Sequence, residues 1–219
     1  MSVTFTDTSF RLLADLVQNN SRDWYQAHRS EFTLHVLDPF AQLLEGISAK
    51  LIDHHMDFRG GRNTMFRMNR DTRFSKDKSP YKTSVSGLLT PSGEKRERTG
   101  FIYLQLDTSG GFAAFGRYGL DAKALGPIRD RIIAEADAFE LVLEGLNENR
   151  LDLLRDNTLK GMPRGYAEHA DHRFAAELKL TNMIVRDDLT LTAWHTGDVL
   201  PRVSDTALAC RNFISFVSV

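Results

Sequence analysis

The sequence predicts an α+β fold with a largely antiparallel sheet, on which amino-terminal, middle and carboxy-terminal helices pack. Apolar side chains recur at helical spacing up to about residue 55. From about residue 64 the period becomes two, in short stretches separated by turn sequences, and helical spacing returns from about residue 121. Helices, then consecutive strands, then helices again are the chain order of α+β folds.

The amino-terminal part predicts three helices. Thr8 or Ser9 can cap the first helix. Its apolar face consists of Phe10, Leu13, Leu16 and Val17. Ser21 can cap the second helix, and Asp38, followed by proline at the first helical position, can cap the third. We expect the third helix to end near residues 53–55.

The middle of the chain predicts a sheet. Short strands are expected at residues 64–68, 84–90, 101–107 and 112–117. Gly-containing turns separate them at 91–93 and 109–111. The strand at 101–107 has apolar or aromatic residues on both faces, which places it at the centre of the sheet.

Helices and one strand are expected to follow. Asp121 precedes a helix whose apolar face consists of Leu125, Ile128, Ile132 and Ile133. A further helix is predicted at 137–146, a strand between 177 and 185, and a last helix over 204–216.

Bulk composition narrows the class of protein. With 219 residues, 42% of them hydrophobic, the chain can bury a large core, and we expect a single α+β domain over 1–219. The net charge of −1 argues against non-specific coating of nucleic acid by the whole surface. One cysteine, Cys210, excludes an intramolecular disulfide and is interpreted as a small buried residue.

We expect a cytoplasmic protein with no membrane contact. The first seven residues lack the basic start and apolar core of a secretory signal. No run of about 18 apolar residues occurs that could span a bilayer.

One segment stands out by charge. Residues 57–82 contain eight basic residues against three acidic ones, although the whole chain is nearly neutral. Phe66, Phe74, Met68, Pro80 and Tyr81 are interspersed among the charges, which indicates a segment built into the fold rather than a basic tail.

The basic segment has three interpretations. Gathered in one concavity, guanidinium groups would bind phosphate or carboxylate through paired hydrogen bonds. On this interpretation the ligand-binding residues are Arg67, Arg70, Arg73, Lys78, Tyr81 and Lys82, and the supporting residues are Asp71, Asp77 and Ser75. Alternatively the arginines pair with acids as a structural network, or the lysines are simply solvated. The excess of five positive charges favours the anion site, because the local acids are too few to pair with every cation.

Known catalytic and cofactor motifs are absent. Gly60–Gly61 is not followed by the Gly-Lys-Ser/Thr of a phosphate loop, and no dinucleotide-binding fingerprint occurs. His169 and His172 lack an evident third ligand, so no metal and no cofactor is predicted. Asp71, Tyr81 and His172 could serve acid–base chemistry, but their spacing does not require it, and catalytic residues are not assigned. Trp24, Tyr25 and Trp194 are interpreted as core or rim residues.

The block Arg-x-Asn-Arg-Asp-x-Arg-Phe-Ser-x-Asp-Lys-Ser-Pro-Tyr-Lys-Thr occurs without a gap at residues 67–83. It resembles the signature of the uncharacterised domain of unknown function 2461 family. Shorter similarities extend the resemblance from about residue 8 to 190. The resemblance implies a compact α+β domain whose hallmark is the basic segment, and it implies no activity. Its flanking parts add arginines that could converge on the same site, namely Arg22, Arg117, Arg129 and Arg164.

The leading hypothesis is a protein that binds a small phosphate-bearing anion, such as a phosphorylated metabolite or nucleotide, and it leaves open whether an enzymatic step follows. The first alternative is a nucleic-acid-binding module, which requires a continuous basic face with exposed aromatic rings. The second is a non-catalytic interaction or structural protein, in which the segment stabilises the fold or a dimer. The sequence names neither a reaction nor an oligomeric state.

Overall fold

The structure is a computed structural model that describes residues 3–97 and 100–219. Its centre is an antiparallel sheet whose four strands lie side by side in chain order. The strands are β1 (Val85–Leu89), β2 (Phe101–Asp107), β3 (Gly110–Arg117) and β4 (Met183–Asp188). Tyr103 of β2 lies opposite Leu88 of β1 and Ala114 of β3, so β2 is an inner strand as its composition predicted. The α+β prediction is confirmed.

Helices precede the sheet, interrupt it and follow it. The α-helices are α1 (Asp7–Gln18), α2 (Arg22–Phe32), α3 (Asp38–Asp53), α4 (Ala122–Ala134), α5 (Ala136–Glu148), α6 (Ala175–Leu178), α7 (Leu191–Thr196), α8 (Val199–Ala209) and α9 (Arg211–Val217). Within the described part of the chain, no helix is long and apolar enough to cross a membrane.

Several helix boundaries follow the sequence prediction and others differ. Ser21 caps α2 by accepting a hydrogen bond from the Trp24 N–H, as expected. The first helix instead begins at Asp7, because Thr6 caps it together with Ser9. Asp38 is not a cap, since a π-helical turn at Thr33–Leu37 joins α2 to α3 without a break.

The predicted strand at 64–68 is wrong. A short 3₁₀ turn occupies Arg62–Thr64, and only single bridges, such as Met65 with Gly87, connect the segment to β1. The strand expected between 177 and 185 begins later, at Met183. The last helix is divided at Cys210 into α8 and α9.

The two faces of the sheet have different surroundings. On β2, the side chains of Ile102, Leu104 and Leu106 are fully buried against the helical layer, which includes α3 and α9. On the opposite face, Tyr103 of β2 and Phe112 of β3 are only partly buried. The helices therefore cover one face, and the side chains of the other face are more exposed.

Cys210 is fully buried, as predicted, and burial raises the pKa of its thiol to about 12. Because the thiolate is the reactive form, the native protein at pH 8 should react with a disulfide reagent far more slowly than an exposed thiol does. Monitoring thiol release with and without urea tests this expectation. Rapid reaction of one thiol in the native protein would contradict it.

Candidate functional site

The basic segment folds back on itself beside the sheet. The Arg70 N–H donates to the Pro80 carbonyl at 2.9 Å, and the Lys82 N–H donates to the Met68 carbonyl at 2.7 Å. These bonds close a hairpin-like base from which residues 71–79, the basic loop, project. Arginines that are evenly spaced along the chain therefore point in different directions.

Tyr81 connects this base to the helical layer. The Asn20 amide group donates to the Tyr81 carbonyl and accepts from its N–H, each at 3.0 Å. The Tyr81 ring is buried and stacks on Tyr25 of α2, with ring centroids 4.1 Å apart. Tyr81 therefore holds the basic segment against α2. The contact with Asn20 spans 61 residues of sequence and was not predicted.

Arg70 pairs with an acid of the basic loop. Its guanidinium forms an ion pair with Asp77 and lies 3.4 Å from the Ser75 hydroxyl oxygen. Asp77 also accepts hydrogen bonds from the hydroxyl and the N–H of Ser79, at 2.6 and 2.9 Å. These bonds, with the Arg70 ion pair, hold the pKa of Asp77 well below its usual value. Asp77 and Ser75 thus support Arg70 rather than lining an open site.

Arg73 and Lys78 are also engaged within the loop. Arg73 donates hydrogen bonds to the Asp71 carboxylate through Nε and Nη2, at 3.0 and 2.7 Å. Lys78 Nζ donates to the Thr72 carbonyl at 2.9 Å. The Phe74 side chain is 95% exposed. The pairing expected for a structural network is therefore present at Arg70 and Arg73.

Arg67 differs from its neighbours. Within residues 3–97 and 100–219, its guanidinium forms no ion pair and no hydrogen bond. It lies in a cavity of 480 Å³ between α2 and the base of the basic segment, called the basic cleft below. The basic cleft is lined by Tyr25, Gln26, Arg29, Thr33, Leu37, Arg62, Met65, Phe66, Arg67, Met68, Asn69, Tyr81 and Lys95.

Among the described residues, four cations and no carboxylate line the basic cleft. Arg62 pairs with Asp38 behind the cleft at 2.7 Å, and Lys95 Nζ donates to the Met65 carbonyl at 2.9 Å. Arg29, like Arg67, has no acidic partner within 4.0 Å among the described residues. The cleft therefore has a net positive charge that its own lining does not neutralise.

Lys82 lies at the edge of this arrangement. Its ammonium group is 5.1 Å from the centroid of the Phe66 ring, within the range of a cation–π contact. Burial, and secondarily the charge of Arg67, lowers the pKa of Lys82. Lys82 and Arg67 therefore repel each other, an interaction that a bound anion would relieve.

The arginines added by the resemblance do not gather at this cleft. Arg117 donates to the carbonyls of Val217 and Val219, and Arg129 donates to those of Leu178 and Leu180. The expectation that these two join the basic segment is wrong, because both are buried and donate to backbone oxygens elsewhere.

The other two predicted arginines, Arg22 and Arg164, are exposed and do not line the basic cleft. Among the acid–base candidates, His172 accepts a hydrogen bond from the Phe174 N–H at 3.1 Å. In the described residues, no three or more His, Cys, Asp or Glu side chains are grouped to hold a metal ion.

A family model described as a conserved hypothetical protein (DUF2461) matches residues 8–216. The chain belongs to this family. The match continues past residue 190, where the sequence resemblance ended, and includes α8 and all of α9 except its last residue. No curated protein and no solved structure matches the chain. Since the family description names no activity, the geometry of the site is the basis for a functional conclusion.

Residues 67–69 and Tyr81 of the basic segment supply one wall of the basic cleft, and α2 supplies the facing wall. Tyr25, Arg29 and Thr33 are four residues apart and so project from the same side of the helical segment. Arg29 and Lys95 were not predicted as site residues. The four-residue spacing from Tyr25 to Arg29 is the sequence signal that could have identified Arg29. Only the contact of Tyr25 with Tyr81 shows that this face of the helix borders the basic cleft.

Proposed function

We propose that this protein binds a small phosphate-bearing anion in the basic cleft. The observation that carries the proposal is the lining itself, with four cations and no carboxylate. The four cations are exposed, so water screens part of their mutual repulsion, and an anion bound among them would relieve the remainder. The cavity volume of 480 Å³ lies within the range of small-molecule sites, about 300–1,000 Å³.

Arg67 is proposed as the central ligand contact. Its planar guanidinium can donate two parallel hydrogen bonds to phosphate, and no described acid forms an ion pair with it, although hydrogen bonding and, secondarily, the charge of Arg67 lower the pKa of Asp71. Arg29 from the facing wall would approach the same anion from the other side. Tyr81 and Asn69 complete the wall beside Arg67.

The remaining predicted residues take a supporting role in this proposal. Arg70 with Asp77 and Arg73 with Asp71 hold the basic loop in shape next to the cleft. Lys78 fixes the same loop through Thr72. Direct ligand contacts from Arg70, Arg73, Lys78 and Lys82 stay predictions.

The test is a calorimetric titration with phosphate, sulfate and a panel of nucleoside phosphates. We expect binding at millimolar concentration or below. Arg67→Ala should weaken the binding by about 10- to 100-fold, because a hydrogen bond to a charged group contributes about 1.5–3 kcal/mol.

Lys76→Ala is the matched control. Lys76 belongs to the same segment, carries the same charge and, like Arg67, is exposed without a described ion pair or hydrogen bond, but it does not line the basic cleft. We expect its affinity to remain within about twofold of the unmodified protein, since it does not line the cleft. Equal losses in the two variants would show attraction by overall charge alone, and the absence of any binding would overturn the proposal.

A further inference from the structure

A second cavity lies on the open face of the sheet. Its volume is 590 Å³, and it is called the aromatic groove below. It is lined by Phe66, Leu88, Lys95, Glu97, Phe101, Tyr103, Phe112, Ala114, Tyr118, Leu154, Ile184 and Arg186. Five of these twelve side chains are aromatic, which suits the groove to a flat apolar ring.

The strand register explains how the aromatic rings come together. Tyr103 of β2 has Phe66 on one side and Phe112 on the other, with ring centroids 6.2 and 5.6 Å away. The neighbour of Tyr103 on β3 is Ala114, whose small side chain leaves the floor of the groove low at that point. Arg186 of β4 lies over the ring of Phe112, with its guanidinium carbon 4.1 Å from the ring centroid.

The aromatic groove and the basic cleft are adjacent. Phe66 and Lys95 line both cavities. A ligand held by its anionic group at Arg67 would therefore extend directly over Phe66 toward Tyr103. The two cavities differ in chemistry, since cations dominate the cleft and aromatic rings dominate the groove.

From this adjacency we infer that the ligand is a nucleotide, with its phosphate in the basic cleft and its base in the aromatic groove. This inference rests on the proposed function. Stacking on aromatic side chains strengthens the binding of a base and tolerates different bases, because every base has a π face. The groove should therefore add to the affinity of the phosphate group without a strong preference for one base.

A mononucleotide fits the charges better than a polynucleotide. Glu97 lines the groove, and Asp188 lies beside Arg186 and pairs with it at 2.8 Å. Among the described residues that line the groove, the cations are Lys95 and Arg186, of which Arg186 is paired, and the whole chain has a net charge of −1. A nucleic-acid strand would require a longer basic track along its backbone.

The experiment compares the calorimetric affinities of AMP, CMP, ribose 5-phosphate and adenosine. Both nucleotides should bind at least about fivefold more tightly than ribose 5-phosphate, since a stacked base contributes about 1 kcal/mol or more. Tyr103→Leu and Phe112→Leu should remove most of this advantage and leave the affinity for ribose 5-phosphate unchanged. Leucine is chosen because it keeps an apolar side chain on the sheet.

Phe74→Leu is the matched control, because Phe74 is an exposed aromatic residue of the basic loop that does not line the groove. This variant should retain the full nucleotide advantage. Circular dichroism and thermal unfolding establish that each variant is folded before its affinity is compared.

The outcomes separate the two proposals. Equal affinities for the nucleotides and ribose 5-phosphate would overturn the inference and leave the phosphate site intact. Equal affinities for adenosine and AMP would instead overturn the proposed function. Far tighter binding of an eight-residue single-stranded oligonucleotide, weakening steeply with salt, would overturn the mononucleotide and support the nucleic-acid alternative.

Discussion

Gly116→Ala should destabilise the fold by about 3 kcal/mol or more, because two separate costs act at this position. Gly116 lies in β3 with φ of +124°, a conformation that residues with a Cβ rarely adopt. An added Cβ would also lie 2.1 Å from the Met183 carbonyl oxygen on the neighbouring strand. Because this atom belongs to the backbone of β4, relief of the collision requires displacement of the strand itself.

Gly119→Ala is the control that isolates the conformational cost. Gly119 also has a positive φ, +69°, but an added Cβ would meet no atom of the described residues within 4 Å. We expect this variant to lose about 1 kcal/mol, the usual penalty of the left-handed region. Urea unfolding followed by circular dichroism gives both values. Similar losses of unfolding free energy in the two variants would show that the backbone of β4 shifts at Met183 at little cost.

The elements that the sequence predicts well are those fixed by local pattern. β2 matches the predicted residues 101–107, because the alternation of its side chains reflects one packed and one open face. The segment at 64–68 has a similar alternation but lacks a ladder. The segment bonds to β1 only at isolated positions, such as the hydrogen bond from the Phe66 N–H to the Ser86 carbonyl. Periodicity reports which side chains are buried, and it does not report how many backbone bonds form.

The candidate site shows the same division. The local density of basic residues identifies the basic segment, and the charge count indicates that its acids cannot neutralise every cation. Which cation stays unpaired depends on the fold of the loop, which turns Arg70 and Arg73 toward Asp77 and Asp71. The contribution of α2 depends on contacts across about sixty residues of chain. No local pattern in the sequence contains that information.

Arg129→Ala should cost about 3 kcal/mol of folding free energy, although Arg129 lies outside both cavities. The side chain is only 3% exposed, and Nε donates to the Leu178 carbonyl at 2.8 Å. Nη2 donates to the Leu180 carbonyl at 3.2 Å. Alanine would remove both donors and leave a void beside Tyr166, whose ring faces the guanidinium at 5.7 Å. A buried acceptor without a donor costs about 1–3 kcal/mol.

Two further variants show whether the hydrogen bonds are the cause. Arg129→Lys keeps the charge and most of the volume but cannot reproduce the planar fork, so it should recover only part of the loss. Lys123→Ala removes an exposed cation from the same helix and should change stability by less than about 0.5 kcal/mol. Full stability of Arg129→Ala in urea would contradict this account.

Arg129→Ala should also destabilise the region around β4 more than the rest of the fold, because the Leu178 and Leu180 carbonyls precede β4 by only a few residues. Hydrogen exchange of the β4 amides should therefore accelerate more than that of the β1 amides in Arg129→Ala. β4 contributes Ile184 and Arg186 to the aromatic groove. A buried arginine remote from the ligand would thus keep one wall of the groove in place, and its removal should weaken the added affinity of a base more than the affinity for ribose 5-phosphate.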